Sequence, residues 1–219
     1  MKKQYFTEAY LHFFMDLAAN NHKDWFDQNR SRYQTEVKAR MEVFVGDLIA
    51  ALKKDAELGD LKASDCIFRI NKDIRFSKDK TPYKLQMSAL IVKGGRKQMH
   101  DPGLYIELGP EFLNIYTGFY MPEKDQLLKI REKIASDPKT FDKIINAKAF
   151  KESFGEVRGE KSKILPKELK EAAKAHELIY NKQFYLVHQV DAEKILDSDL
   201  LSYVVNHFKS AAQFNRFLN

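Results

Sequence analysis

The sequence predicts an α+β fold: a central antiparallel sheet of four to six strands in meander order, with helices from both ends of the chain packed on its apolar face. Three observations carry this. Apolar residues recur every three or four positions through the first sixty residues, at every second position from Cys66, and at helical spacing again after Pro122. No linker, repeat or low-complexity tract interrupts the chain, so residues 1–219 are read as a single domain.

Each element has a local reason. Phe6, Tyr10, Phe13, Phe14 and Leu17 mark a first helix that Asn20-Asn21 breaks. A Trp25-Phe26 turn leads to a longer helix with Val37, Met41, Phe44, Val45, Leu48 and Leu52 on one stripe, closed by Gly59. From Cys66 to Phe76 the period is two: Cys66, Phe68, Ile70, Ile74 and Phe76 fall on one face, and Arg69, Asn71, Asp73 and Arg75 on the other. Residues 84–92 continue as strand with Leu85, Met87, Ala89 and Ile91 inward, which leaves Gln86 and Ser88 outward. Gly94-Gly95 and Asp101-Pro102-Gly103 are turns, and Leu104 to Leu108 and Leu113 to Phe119 alternate again. Connections this short imply antiparallel pairing, because a parallel crossover needs roughly a dozen linking residues. Pro122 opens a helix with Leu127, Ile130 and Ile134, and Asp137-Pro138 starts another with Phe141, Ile144 and Ile145. Residues 150–165 read as irregular, Pro166 begins a short helix, Phe184 to Val190 forms a fifth strand, and Leu200 to Leu218 is an amphipathic terminal helix.

Totals exclude several classes. With 44% hydrophobic and 12% aromatic residues the chain can bury a sizeable core, and disorder is excluded. One cysteine, Cys66, allows no intramolecular disulfide, which suits a reducing compartment. Glu8, His12 and Asp16 interrupt the N-terminal apolar residues, so no signal peptide is read there; a cytoplasmic location without a membrane partner is expected. The net charge of +6 is compatible with a phosphate-bearing partner without requiring one.

The distribution of charge says more. Arg69, Lys72, Arg75, Lys78, Lys80 and Lys84 stand against Asp73 and Asp79, a local excess of +4 within sixteen residues. On an extended strand, alternate side chains share a face roughly 6.5–7 Å apart. Arg69, Asn71, Asp73 and Arg75 would then form a polar ladder in which Asp73 orients both guanidinium groups. Ser77, Lys78 and Lys80 supply hydroxyl and ammonium groups at its end, with Lys84 beyond. The polar phase of the neighbouring strands adds Tyr105, Glu107, Asn114 and Tyr116. An ordinary solvated sheet face shows the same alternation, and the residues leave both readings open.

The run Asp73-Ile74-Arg75-Phe76-Ser77-Lys78-Asp79-Lys80-Thr81-Pro82-Tyr83-Lys84 resembles the signature of the Domain of Unknown Function 2461 family of bacteria and fungi. Asn20-Asn21 with Asp24-Trp25-Phe26, and Gly118-Phe119-Tyr120-Met121-Pro122 with Ile130-Arg131, are similar to it as well. The likeness departs at Glu107 and Gly109, where family members place a His and a Glu. The resemblance implies a shared fold and brings no activity, substrate or catalytic residue.

Other chemistry finds little support. The six histidines have no metal-ligand spacing, and the cations around Asp73, Asp79 and Glu107 oppose a divalent ion, so no metal and no cofactor is expected. Cys66 reads as a buried strand residue. Walker, dinucleotide and nucleophile-elbow motifs are absent. Three functions stay open. The first is a site for a phosphate- or carboxylate-bearing small molecule, with Arg69, Asn71, Asp73, Arg75, Ser77, Lys78, Lys80 and Lys84 as ligands and Asp73, Glu107 or Tyr116 as acid–base groups. The second is nucleic-acid binding on a basic sheet face with Tyr105 and Tyr116 stacking. The third is an interaction module without a ligand. An enzymatic role and an oligomeric state are left undetermined.

Overall fold

The computed structural model describes residues 2–53 and 57–219. Helix α1 (Glu8–Ala19) buries Tyr10, Leu11, Phe13, Phe14 and Leu17. Helix α2 (Lys23–Gln28) is capped by His22, whose ring accepts the Trp25 N–H. The expected turn at Trp25-Phe26 is therefore helical, because a side-chain acceptor satisfies the first turn. Helix α3 (Arg30–Arg32) passes through a wider π-helical segment, Tyr33–Lys38, into α4 (Ala39–Leu52). The stripe Val37, Met41, Phe44, Val45, Leu48 and Leu52 is buried as the periodicity requires. The helix ends at Leu52 with Lys53 as its cap, so Gly59, expected to close it, instead stands at φ +60° in the stretch that follows.

The sheet has four antiparallel strands in the order β1 (Met87–Ile91), β2 (Gly103–Leu108), β3 (Phe112–Phe119) and β4 (Phe184–Asp191). The strand expected from Cys66 to Phe76 is not among them. Cys66 ends the short helix α5 (Ala63–Cys66), and the chain beyond it makes only isolated bridges, Ile67 to Ala89 and Asn71 to Tyr83. The bridges lie four positions apart on one side and six on the other, so no continuous ladder forms between them. Ile70 stays buried, while Phe76 is 94% exposed. Ser88, expected to face outward, is 3% exposed, because β1 is covered on both faces.

Two compact units are built from interleaved segments. The first comprises residues up to Lys97 with 105–114 and 189–205, and the second 98–104, 115–188 and 206–219. In the first, Phe6, Tyr10, Phe13, Phe14 and Phe44 interlock largely edge to face, and the Tyr10 hydroxyl donates to the Leu108 carbonyl at 3.0 Å. The second holds α6 (Lys124–Ser136), α7 (Pro138–Ile145), α8 (Lys148–Phe154), α9 (Lys170–Ala175), the C-terminal part of α10 (Leu200–Ser210) and α11 (Ala212–Leu218). Its core includes Ile130, Ile134, Phe141, Phe150, Phe184 and Phe214. Helix α8 occupies part of the stretch expected to be irregular: Phe150 and Phe154 both find core positions. The terminal helix breaks between Ser210 and Ala212. Gly118, at φ +102°, is required, since a Cβ there would stand 2.4 Å from the Phe184 carbonyl oxygen. No helix among the described residues is long and apolar enough to cross a membrane.

Candidate functional site

The basic segment divides into two differently built parts, both in the first unit. Residues 72–81 form a loop braced from within. Lys72 donates to Asp79 Oδ2 at 2.8 Å and to Thr81 Oγ1 at 2.7 Å, while the Thr81 N–H and hydroxyl both donate to Asp79, each at 2.9 Å. Lys80 reaches back to the Ile74 carbonyl at 3.0 Å. Arg75 grips Asp73 with Nε at 2.9 Å and Nη2 at 2.6 Å, a bidentate fork. Lys72 and its Thr81 partner hold the Asp79 carboxyl far below the usual carboxylate range; the Arg75 fork also lowers Asp73, with a weaker contribution from Arg69. Ser77 is half-buried and Lys78 exposed at the turn, and Asn71 is exposed where it bridges Tyr83.

Tyr83 ends this loop in a clamp. The Asn21 side chain accepts the Tyr83 N–H at 3.1 Å and donates to the Tyr83 carbonyl at 3.0 Å, replacing a strand neighbour. Phe26 stacks on the Tyr83 ring, centroids 4.1 Å apart and planes 16° from parallel. Positions sixty residues apart in the chain thus fix where the next residue, Lys84, emerges.

Around Lys84 the charges are arranged otherwise. Its ammonium lies 5.5 Å from the centre of the Phe68 ring, which meets the Tyr105 ring edge-on at 5.9 Å. The Tyr105 hydroxyl donates to Glu107 Oε1 at 2.8 Å, and Asn114 Nδ2 donates to Glu107 Oε2 at 3.2 Å. Asn114 is 6% exposed and its Oδ1 lacks a partner. Burial holds the Lys84 ammonium below its ordinary pKa; Arg69 adds to this and Glu107 opposes it. Phe68 returns part of the lost hydration through its ring face. Neither Arg69 nor Lys84 has an ion-pair partner among the described residues.

The structure therefore groups Arg69, Lys84 and Glu107 with Phe68, Tyr105 and Asn114, and separately ties Asp73 to Arg75 and Asp79 to Lys72. Tyr116 belongs to the second unit. Phe68 is the member that sequence reasoning missed: alternation put it with Cys66 and Ile70, whereas it packs on Tyr105. Phe68 follows the short helix α5 in a stretch held only by isolated bridges, where alternation does not set the face of a side chain. Among the described residues, no three His, Cys, Asp or Glu side chains are placed to hold a metal ion.

A model of a family of conserved hypothetical proteins, DUF2461, matches residues 9–217. The chain belongs to the DUF2461 family. The fold gives its resembling segments physical roles: Asn21 and Phe26 clamp Tyr83, and Gly118 admits the Phe184 backbone. Arg131, 6% exposed, donates to the Asn181 carbonyl at 3.0 Å and to Ser162 Oγ at 2.7 Å. No curated protein matches the chain.

Proposed function

We propose that the Arg69–Lys84 segment binds a small molecule bearing a carboxylate or phosphate, at the Arg69 and Lys84 end of the segment. One observation carries this reading: two cations that repel each other, one of them partly desolvated, make no salt bridge among the described residues. An anion between them would relieve the repulsion and replace lost hydration. Glu107, held on both oxygens, supplies an acid–base group beside it. Arg75 contributes little, because its fork is already occupied by Asp73. The single cysteine fits a cytoplasmic setting for such a metabolite. A thermal-shift series with phosphate, sulfate, nucleotides and dicarboxylates tests the proposal. At a hundredfold excess over its dissociation constant, a bound anion stabilises the protein by about 2.7 kcal/mol. Arg69→Lys, which lacks the bidentate fork, is expected to lose much of the gain. Absence of a response to every anion would refute the reading.

One further observation favours nucleic acid as a second reading. The Phe76 ring is 94% exposed and stands beside Arg75, on a loop that also carries Lys78 and Lys80, as a base-stacking platform would. Oligonucleotide binding that falls steeply with salt and is lost in Phe76→Ala would support it over the first.

A further inference from the structure

We propose that the open edge formed by residues 158–163 docks an extended, acidic peptide segment of a partner protein, which adds as a further strand beyond β4. This is independent of the anion-site reading and lies wholly within the second unit.

The edge follows from where the backbone groups go. Strand β4 has β3 on one side, and the stretch from Arg158 to Ser162 lies along the other. Arg158 exchanges both backbone hydrogen bonds with Tyr185. The Lys182 N–H donates to the Glu160 carbonyl at 2.7 Å, and the Ser162 N–H donates to the Tyr180 carbonyl at 2.7 Å. Gly159 allows this close approach, since a Cβ there would stand 2.1 Å from the Gln183 carbonyl oxygen. Successive residues of an extended chain turn their N–H and C=O groups to opposite sides, so Gly159 and Lys161 direct theirs away from β4. Among the described residues, none of those four groups has a backbone partner, and the Lys163 N–H has none either. Unpaired groups in such a row are a template for another extended chain.

The side chains around the edge select its occupant. Ile164, where the edge ends, is 83% exposed and offers an apolar contact. Of the charged residues from 158 to 163, Glu160 is bound by Lys182 at 3.2 Å and Lys161 is bound to Glu177. Arg158 and Lys163 make no ion pair among the described residues, so the charge left over is positive. Backbone pairing calls for a polypeptide, and the leftover charge calls for aspartate or glutamate in it, beside an apolar residue that covers Ile164.

Amide exchange and a peptide titration on the isotope-labelled full-length protein test this. In the free protein the Gly159 and Lys161 amides should exchange at least about tenfold faster than those of Arg158 and Ser162. A capped hexapeptide alternating aspartate and valine should shift the amide signals of residues 159–163 and slow exchange at Gly159 and Lys161 several-fold. The same peptide N-methylated on its edge-facing amides cannot pair and should bind at least about tenfold more weakly. A version with lysine in place of aspartate should also bind more weakly, as should the wild-type peptide with Ile164→Asp, a change at an exposed position that leaves the fold intact. Absence of shifts at residues 159–163, or equal binding of the N-methylated peptide, overturns the proposal and leaves Lys161 and Lys163 as guards against pairing. Protection of Gly159 and Lys161 that rises with protein concentration overturns it too, by placing a second copy of the chain on the edge.

Discussion

The loop from Lys72 to Thr81 and the sheet face around Lys84 use the same residue types, yet their charges are satisfied in opposite ways. In the loop each carboxylate has its own cation, Asp79 with Lys72 and Asp73 with Arg75, at exposed positions where water already screens the pair. On the sheet face Glu107 is held by neutral donors and only partly offsets the repulsion between Arg69 and Lys84. Both carboxylates of the loop are therefore satisfied within it, while Lys80 turns to the Ile74 carbonyl and Lys78 is exposed. The sheet face is open, and an added anion has something to gain there. Charge density along the chain is a poor guide to a site; unpaired charge with reduced hydration is a better one.

Five changes would break or sharpen this comparison. The largest effect is expected at the clamp joining the two regions. Phe26 is 4% exposed and stacked on Tyr83, so Phe26→Ala should cost about 3–5 kcal/mol in denaturant unfolding. Amide exchange between residues 72 and 84 should accelerate more than in α7. Next, Glu107→Ala leaves the buried Asn114 amide and the Tyr105 hydroxyl without their acceptor, an expected loss of about 1–3 kcal/mol by the same measurement. Asp79→Asn, at the surface, should shift the midpoint less.

The pH dependence should separate the regions. Asp73 and Asp79 have folded pKa values below their unfolded ones, so they stabilise the fold above about pH 4 and lose that contribution as pH falls through the folded values. Lys84 is lowered, and its charging opposes folding. That cost is full below its folded pKa and is relieved as pH rises through it towards about 10.4. Stability curves of Asp79→Asn should thus flatten at the acid end, and those of Lys84→Gln at the alkaline end relative to wild type. Burial pushes the Cys66 thiol up to about 12, so both proteins share the alkaline loss from its unfolded thiolate. The smallest effect belongs to Phe76→Ser: with its ring almost wholly in water, unfolding free energy should change by no more than about 0.5 kcal/mol.

Much of the architecture was legible because period and burial coincide. The stripe from Val37 to Leu52, the alternation of Leu104, Ile106 and Leu108, and the Asp137 cap, which accepts the Thr140 N–H, all obey local rules. The segment from Cys66 to Phe76 did not, since two isolated bridges hold it in place of a continuous ladder that would impose alternation. The site was half legible for the same reason. Arg69, Lys84 and Glu107 stood out as charged residues. Which cation would find which carboxylate depended on the Asn21–Tyr83 clamp and on the turn that folds Asp79 back to Lys72, contacts between positions that no spacing rule connects.

The most direct measurement is calorimetric titration of phosphate into wild type, Arg75→Gln and Lys84→Gln at one fixed salt concentration. Each removes one positive charge from the same basic segment, so bulk attraction is matched. The account predicts that Arg75→Gln binds within about twofold of wild type, and that Lys84→Gln binds at least about tenfold more weakly, the loss of one charge-assisted hydrogen bond. Equal losses in the two variants, or a larger loss in Arg75→Gln, would contradict it.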